Sequence, residues 1–257
     1  MSIYRIWSIA ANGFREVIRD RILYFIGFFT LLMVIAVRLL PEISIGTHNK
    51  ILLDLGLGAI SLLGAIVAIF VGTGLINKEI EKRTVLILIP KPLSRAEFII
   101  GKHLGLSAVL SVMLTIMTIV YILLLTWTKV DYQAFPIIIS VVFLFLELAL
   151  LIAIAIAFGV FTSSILATLL SFGLYLMGHI SKDLLKLGVI SKNESIAAIT
   201  KTLYLILPDL ERLNLKNDAV YGLLPSVETL ISNATYGILY TCLLLGIAIL
   251  VFSRRQF

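Results

Sequence analysis

The sequence predicts an all-α membrane protein with six transmembrane helices, and three observations predict it. Composition is the first: 60% of the 257 residues are hydrophobic and only 14% are charged, with a mean hydropathy of +1.08. A water-soluble domain of this length lacks the polar groups to cover so much apolar surface. The second is the length of the uncharged blocks, several of which exceed the roughly 20 residues that carry a helix across the hydrocarbon core. The third is a lopsided distribution of lysine and arginine between alternate connecting segments.

Residues 1–21 precede the first span and read as an amphipathic interface helix. At about 100° per residue, Ile3, Trp7, Ala10, Phe14 and Ile18 share one face, while Arg5, Ser8, Asn12, Arg15, Glu16 and Arg19 share the other. Such a helix lies in the membrane interface, its apolar face in the acyl boundary and its arginines at the headgroups. The stretch is too charged for the core of a cleavable signal, so the first span is expected to direct insertion. The uncharged or nearly uncharged blocks are 22–37, 55–77, 104–128, 132–181 and 229–253. The fourth carries Glu147 as its single charge. At about 1.5 Å per residue it is far too long for one crossing. It therefore reads as two helices broken near 159–164, where Gly-Val-Phe-Thr-Ser-Ser permits a tight turn.

Six crossings place both termini on one side. That side carries twelve basic residues, including Arg5, Arg15, Lys82, Arg95 and Arg254, against five acidic ones. The opposite side carries nine of each. The basic side is expected to be cytoplasmic, so topology and anionic lipid account for the positive charge and no nucleic acid is expected as a partner. The lone cysteine, Cys242, lies in the last block and forms no intrachain disulfide. No group of residues has metal-ligand or catalytic spacing, and no enzyme activity is expected of this chain.

The segment 76–102 is the one long connection on the basic side. A helical stretch over 77–88 carries Lys78, Glu79, Glu81, Lys82 and Arg83, and Pro90 and Pro92 stop it. Ser94-Arg95-Ala96-Glu97 then forms an S-x-x-E capping box that starts the helix of the third span. The result is a capped hairpin with a dense, mixed charge: either a solvated intracellular turn or a docking surface. On the opposite side, 182–228 is a long outer loop without net charge. Within it Ile196, Ile199, Leu203, Ile206 and Leu210 predict an amphipathic helix ended by Pro208 or soon after. Asn193-Glu194-Ser195 has the pattern of a glycosylation acceptor, which chance explains better.

Inside the membrane, Glu147 is expected to face the protein interior, either as a protonated acid bonded to a neighbouring helix or as a proton or substrate site. Ala149, Ala153 and Ala157 form a small-residue stripe on the same helix, and Gly101-x-x-x-Gly105 a weaker one on the third span. His179 is expected near the outer surface as a hydrogen-bonded side chain.

Glu79, Glu81 and Thr84, then Pro90 and Pro92, then Ser94-Arg95 with Lys102 seven residues later, form a pattern that resembles the ABC type-2 exporter permeases. The stretch 12–24, NGFREVIRDRILY, is similar to that family as well, as is a six-span layout with its longest outer loop before the last span. The resemblance covers essentially the whole chain. Many members have glycine where Arg83 stands, and the departure matches a branch written E-K-(K/R)-T. What the resemblance implies is a single permease domain over 1–257 in a bacterial inner membrane. It implies a pathway formed with a second copy or a homologue, and two copies of a separate cytoplasmic ATPase that hold ATP and magnesium. Its coupling residues would be Glu79, Glu81, Arg83 and Thr84, with Arg95 and Lys102 bracing the hairpin. The chain itself has no G-x-x-x-x-G-K-[ST] phosphate loop, since His103 follows Gly101-Lys102, and no cofactor is expected on it. The alternatives are a secondary transporter or channel using Glu147, a membrane scaffold, and an intramembrane enzyme.

Overall fold

The computed structural model describes residues 2–18, 22–43, 48–81, 94–191 and 193–254; of residues 43, 48 and 75–81 it describes the backbone alone. Among them are ten α-helices and no strand. In chain order these are α1 (Ile3–Val17), α2 (Leu23–Ile43), α3 (His48–Glu81), α4 (Arg95–Trp127), α5 (Ala134–Phe161), α6 (Ser164–His179), α7 (Ser181–Ile190), α8 (Glu194–Ile206), α9 (Lys216–Tyr221) and α10 (Val227–Arg254).

Five of them, α2 to α5 and α10, are long and apolar enough to cross a membrane singly. The candidate for a sixth crossing is a pair of shorter helices. At 16 residues α6 is about 24 Å long, short of a hydrocarbon core of about 30 Å. It is followed by α7 after a bend of 57°, so the pair is either one broken span or a re-entrant loop, and the spans number five or six. The break that separates α5 from α6 falls at Thr162 and Ser163, inside the expected 159–164 turn. There the Thr162 hydroxyl donates to the Phe158 carbonyl at 2.8 Å and ties off the end of α5.

Burial sorts the spans into an inner and an outer set. In α3 and α5, 61% of the apolar window is buried, against 17% in α2 and α10, which therefore form the outside of the bundle. The centre is α5, which touches α3, α4, α6, α9 and α10. Its stretch from Leu150 to Ile156 is buried at every position, as expected of a helix that is apolar all round. Ala153 and Ala157 of the small-residue stripe are buried, and a close approach to α3 is also made by Ala155, whose Cβ would stand 2.9 Å from a Cβ on Gly72.

The predicted interface helix exists as α1, and it packs along the first turns of α4. Gly101 and Gly105 make that approach possible. A Cβ on Gly105 would stand 2.7 Å from the Ala10 carbonyl oxygen, and one on Gly101 would stand 2.8 Å from the Ile9 side chain. The face turned to α4 is therefore Ala10, Gly13 and Val17, while Ile3 and Trp7 remain exposed. An apolar groove of about 730 Å³ runs between the two helices, lined by Trp7, Phe14, Leu104 and Ala108, with Arg15 at its rim.

Of the expected helical stretch 77–88, residues 77–81 are helical and continue α3 without a break from the span to Glu81, while 82–88 lie outside the described residues. The outer loop is a folded cap: α7 and α8 pack on each other, and a short 3₁₀ turn, Leu210–Arg212, leads to α9. α8 carries Ile196, Ile199, Leu203 and Ile206 of the predicted apolar positions and ends at Ile206, with Leu207 as its C-cap before Pro208; Leu210 falls in the 3₁₀ turn. Asn193 is its N-cap, accepting from Ser195 N and Ile196 N, which gives that asparagine a structural role.

Candidate functional sites at the two ends of the bundle

The first residue of α4, Arg95, gathers one end of the molecule. The predicted capping box is formed: Ser94 Oγ accepts from Glu97 N at 3.2 Å, and Glu97 Oε2 accepts from Ser94 N at 3.0 Å. The other oxygen of Glu97 accepts from Ser2 N at 2.7 Å, so the carboxylate that caps α4 also holds the start of α1. Arg95 Nη1 donates to the carbonyls of Phe252 and Ser253 at 2.6 and 2.7 Å. These are carbonyls at the end of α10 that lack partners within their own helix and favour a cation. Phe98 stacks on Phe252 with ring centroids 5.7 Å apart. Lys102 is buried, its ammonium 5.8 Å from the Phe98 ring. The starts of α1 and α4 and the end of α10 are thus fastened together, which puts both ends of the chain at the same end of the bundle.

Of the predicted coupling residues, Arg95 and Lys102 stand at this base. Glu79 and Glu81 lie in the last turn of α3, where only the backbone is described. Arg83 and Thr84 lie outside the described residues. Sequence reading found the capping box from its spacing. It did not find the bonds from Ser2 to Glu97 or from Arg95 to α10, which join residues about 95 and 157 positions apart.

The second site is in the bundle. Glu147 stands midway along α5 and is 1% exposed. Its Oε1 lies 3.3 Å from Nε2 of His179, the last residue of α6. The two atoms touch without an aligned hydrogen bond, and neither Glu147 oxygen nor His179 Nε2 has a hydrogen-bond partner among the described residues. The other ring nitrogen, Nδ1, bonds the Tyr175 carbonyl at 3.0 Å. Lys216 of α9 reaches from the cap to donate to Ser61 Oγ of α3 at 3.1 Å. The Tyr175 ring stands edge-on to His179 with ring centroids 4.6 Å apart.

His179 is the hydrogen-bonded side chain expected, and it stands level with Glu147. Glu147 is 14 residues from Phe161, or about 21 Å up from the break, and the short α6 brings His179 to the same height. The expectation of an interior-facing Glu147 beside a neighbouring helix holds. The partner base was not predicted.

The cap is anchored by a third cluster. Asp209, 3% exposed, receives Arg212 Nε at 3.1 Å, Ser181 Oγ at 3.3 Å and the Tyr204 hydroxyl at 3.4 Å, with Lys182 at 3.9 Å. Its own backbone N–H donates to the Tyr236 hydroxyl of α10 at 2.9 Å. Hydrogen bonds to Tyr204 and Asp209 hold the Arg212 guanidinium above its ordinary pKa. No group of three or more His, Cys, Asp or Glu side chains suited to a metal ion occurs among the described residues.

A family model described as ABC-2 family transporter protein matches residues 7–257. No curated protein matches the chain.

Proposed function

This chain belongs to the ABC-2 family of transporter proteins and is a permease subunit of an ABC transporter, and on that premise we propose that it forms the export path of a pump driven by a separate ATPase. The family as a whole works with an ABC ATPase subunit. In this reading the α3–α4 hairpin is the part that seats on that ATPase, on the cytoplasmic side of a bacterial inner membrane.

The observation that carries the reading is the base of the hairpin. The arm that leaves along α3 is a single continuous helix from the span to Glu81. The arm that returns along α4 is capped at Ser94 and bonded to the start of α1 and the end of α10. A push on the tip is then delivered to three helices at once, because none of these joints is a free loop. Two permease copies, or this chain with a homologue, enclose the path, since symmetric pairing is the usual way to close such a wall. Two ATPase copies with ATP and magnesium drive it. Lipid fills the groove side of α1, which lies in the interface with Ile3 and Trp7 toward the acyl chains.

Charge reversal at both Glu79 and Glu81 is expected to abolish stimulation of the co-purified ATPase by the permease while membrane insertion stays normal. Transport at the unaltered rate in that double variant would overturn the coupling role. A second reading, a secondary transporter using Glu147 as its ion site, draws on the His179 contact. Proton-dependent flux in vesicles without any ATPase, abolished by Glu147→Gln, would favour it.

A further inference from the structure

Glu147 and His179 sit on the two helices that flank the 162–163 break, and driving transport from the hairpin uses neither. A charged side chain at this depth costs about 2.5–3.5 kcal/mol on insertion scales, so its presence calls for a reason. The tautomer of the imidazole supplies one. A backbone carbonyl only accepts, so the contact of Nδ1 with the Tyr175 carbonyl requires a proton on Nδ1. Nε2 is then the atom that faces Glu147 Oε1 at 3.3 Å. With no proton on either atom, a ring lone pair would face a carboxylate oxygen in an apolar interior, which is repulsive. One proton removes the conflict wherever it rests. A neutral carboxyl donates to Nε2, or an imidazolium donates to Oε1, and the pair is electrically neutral in both.

We propose that Glu147 and His179 form a proton-binding site, in which one proton held between Nε2 and Oε1 fastens the α6–α7 corner to α5 and its removal releases that corner. The surroundings make the consequence directional. From α6 the pair is faced by Tyr175, edge-on to the His179 ring, and from α9 by Lys216, which is bonded to Ser61 of α3 and whose charge is felt at His179. On α4, His103 bonds the Ala149 carbonyl and Tyr121 the Leu53 carbonyl. On α10, Tyr236 and Tyr240 bond Asp209 and the Ile206 carbonyl of the cap. Loss of the proton leaves one negative charge whose cation is Lys216, held by Ser61 at the foot of the cap. Attraction between that charge and the Lys216 ammonium competes with the Lys216–Ser61 bond that joins the cap to α3. The proton need not be transported for this to operate, and the site stands apart from the question of which molecule is carried.

The test uses the purified full chain and needs neither ATPase nor cargo. Glu147→Gln gives Nε2 a permanent amide donor, which preserves the contact and removes the shared proton. The clamp is present when the pair is protonated and lost as pH rises. The melting temperature of the wild type is therefore expected to fall by about 3–6 °C between about pH 5 and 10 beyond any fall in Glu147→Gln. In protein labelled with nitrogen-15 histidine, the His179 Nε2 signal should change with pH in the wild type. In Glu147→Gln it should stay at the position of an unprotonated, accepting nitrogen. Superimposable melting profiles, or a wild-type Nε2 signal that does not move, overturn the proposal. If Glu147→Gln does not fold, the Nε2 titration of the wild type decides alone.

Discussion

Asp209 and Asp183 are both acidic residues of the cap with a lysine or arginine within reach, yet their surroundings assign them different weights. Asp183 and Lys186 meet at 2.9 Å with both side chains more than two-thirds exposed. Solvent screening and side-chain entropy leave such a pair worth less than about 0.5 kcal/mol. Asp209 is buried and joins α7, α8, the 3₁₀ turn and α10. Removing one partner of a buried ion pair costs about 3–5 kcal/mol, and the half-exposed Arg212 reduces this to about 2. Asp209→Asn is therefore expected to lower the melting temperature by about 4–8 °C, and Asp183→Asn by about 1 °C or less. Equal shifts in the two variants would show that Asp209 is not the anchor of the cap. In the sequence the two residues look alike, because the groups that single out Asp209 arrive from Ser181, Tyr204, Arg212 and Tyr236. Side-chain convergence across four elements has no period and no spacing to read.

Single elements were far more legible than their contacts. The capping box at Ser94, the stop before Pro208 and the break at 162–163 each follow from local chemistry within a few residues, and each is where the spacing placed it. The height of His179 was also available. Glu147 lies 14 residues before the end of α5 and His179 ends the 16-residue α6, so an antiparallel pair must bring them level. What hid this was the assumption that each half of a long apolar block crosses the whole bilayer. The packing of α1 was half legible: the Gly101–Gly105 spacing marked a close approach, but not that its partner is the interface helix. Two glycines give a sharp test of that contact. Alanine is favoured over glycine in a helix by about 1 kcal/mol, so Gly58→Ala, where a Cβ meets nothing within 4 Å, should raise stability slightly. Gly105→Ala places its Cβ 2.7 Å from a backbone oxygen of α1. That overpacking costs about 1–3 kcal/mol and reverses the sign. A lowered melting temperature is expected, with a change in Trp7 emission measured in a Trp127→Phe background. A Gly105→Ala protein as stable as Gly58→Ala would refute the approach of α1 to α4.

At the scale of the molecule, two independent arguments bear on how the chain threads the membrane. The bonds from Glu97 to Ser2 and from Arg95 to Phe252 and Ser253 place both termini at one end of the bundle. Lys216 on Ser61 and Lys50 over Tyr221 place the cap at the other. These contacts fix which segments share an end, and they would be the same if the molecule were turned over. Orientation comes instead from charge, because lysine and arginine near span ends are held on the cytoplasmic side while acidic residues count for little. With twelve basic residues at the end of the termini and nine at the end of the cap, the difference is carried by short segments, where the rule is strongest. The prediction is therefore sided. In a Cys242→Ser background, Asn193→Ala/Ser195→Cys should react with an impermeant maleimide on intact cells. Ser253→Cys should react only after the membrane is opened. The reverse pattern would leave the packing of the ten helices standing but turn the hairpin away from any cytoplasmic ATPase, and with it the proposed drive. Labelling of both positions from outside would instead mean that α10, which separates them, does not cross; a missing α6–α7 crossing would leave Ser195 on the side of the hairpin base. The short, bent span is the one place where the chain could lose its sixth passage, because α6 alone falls about 6 Å short of the hydrocarbon thickness.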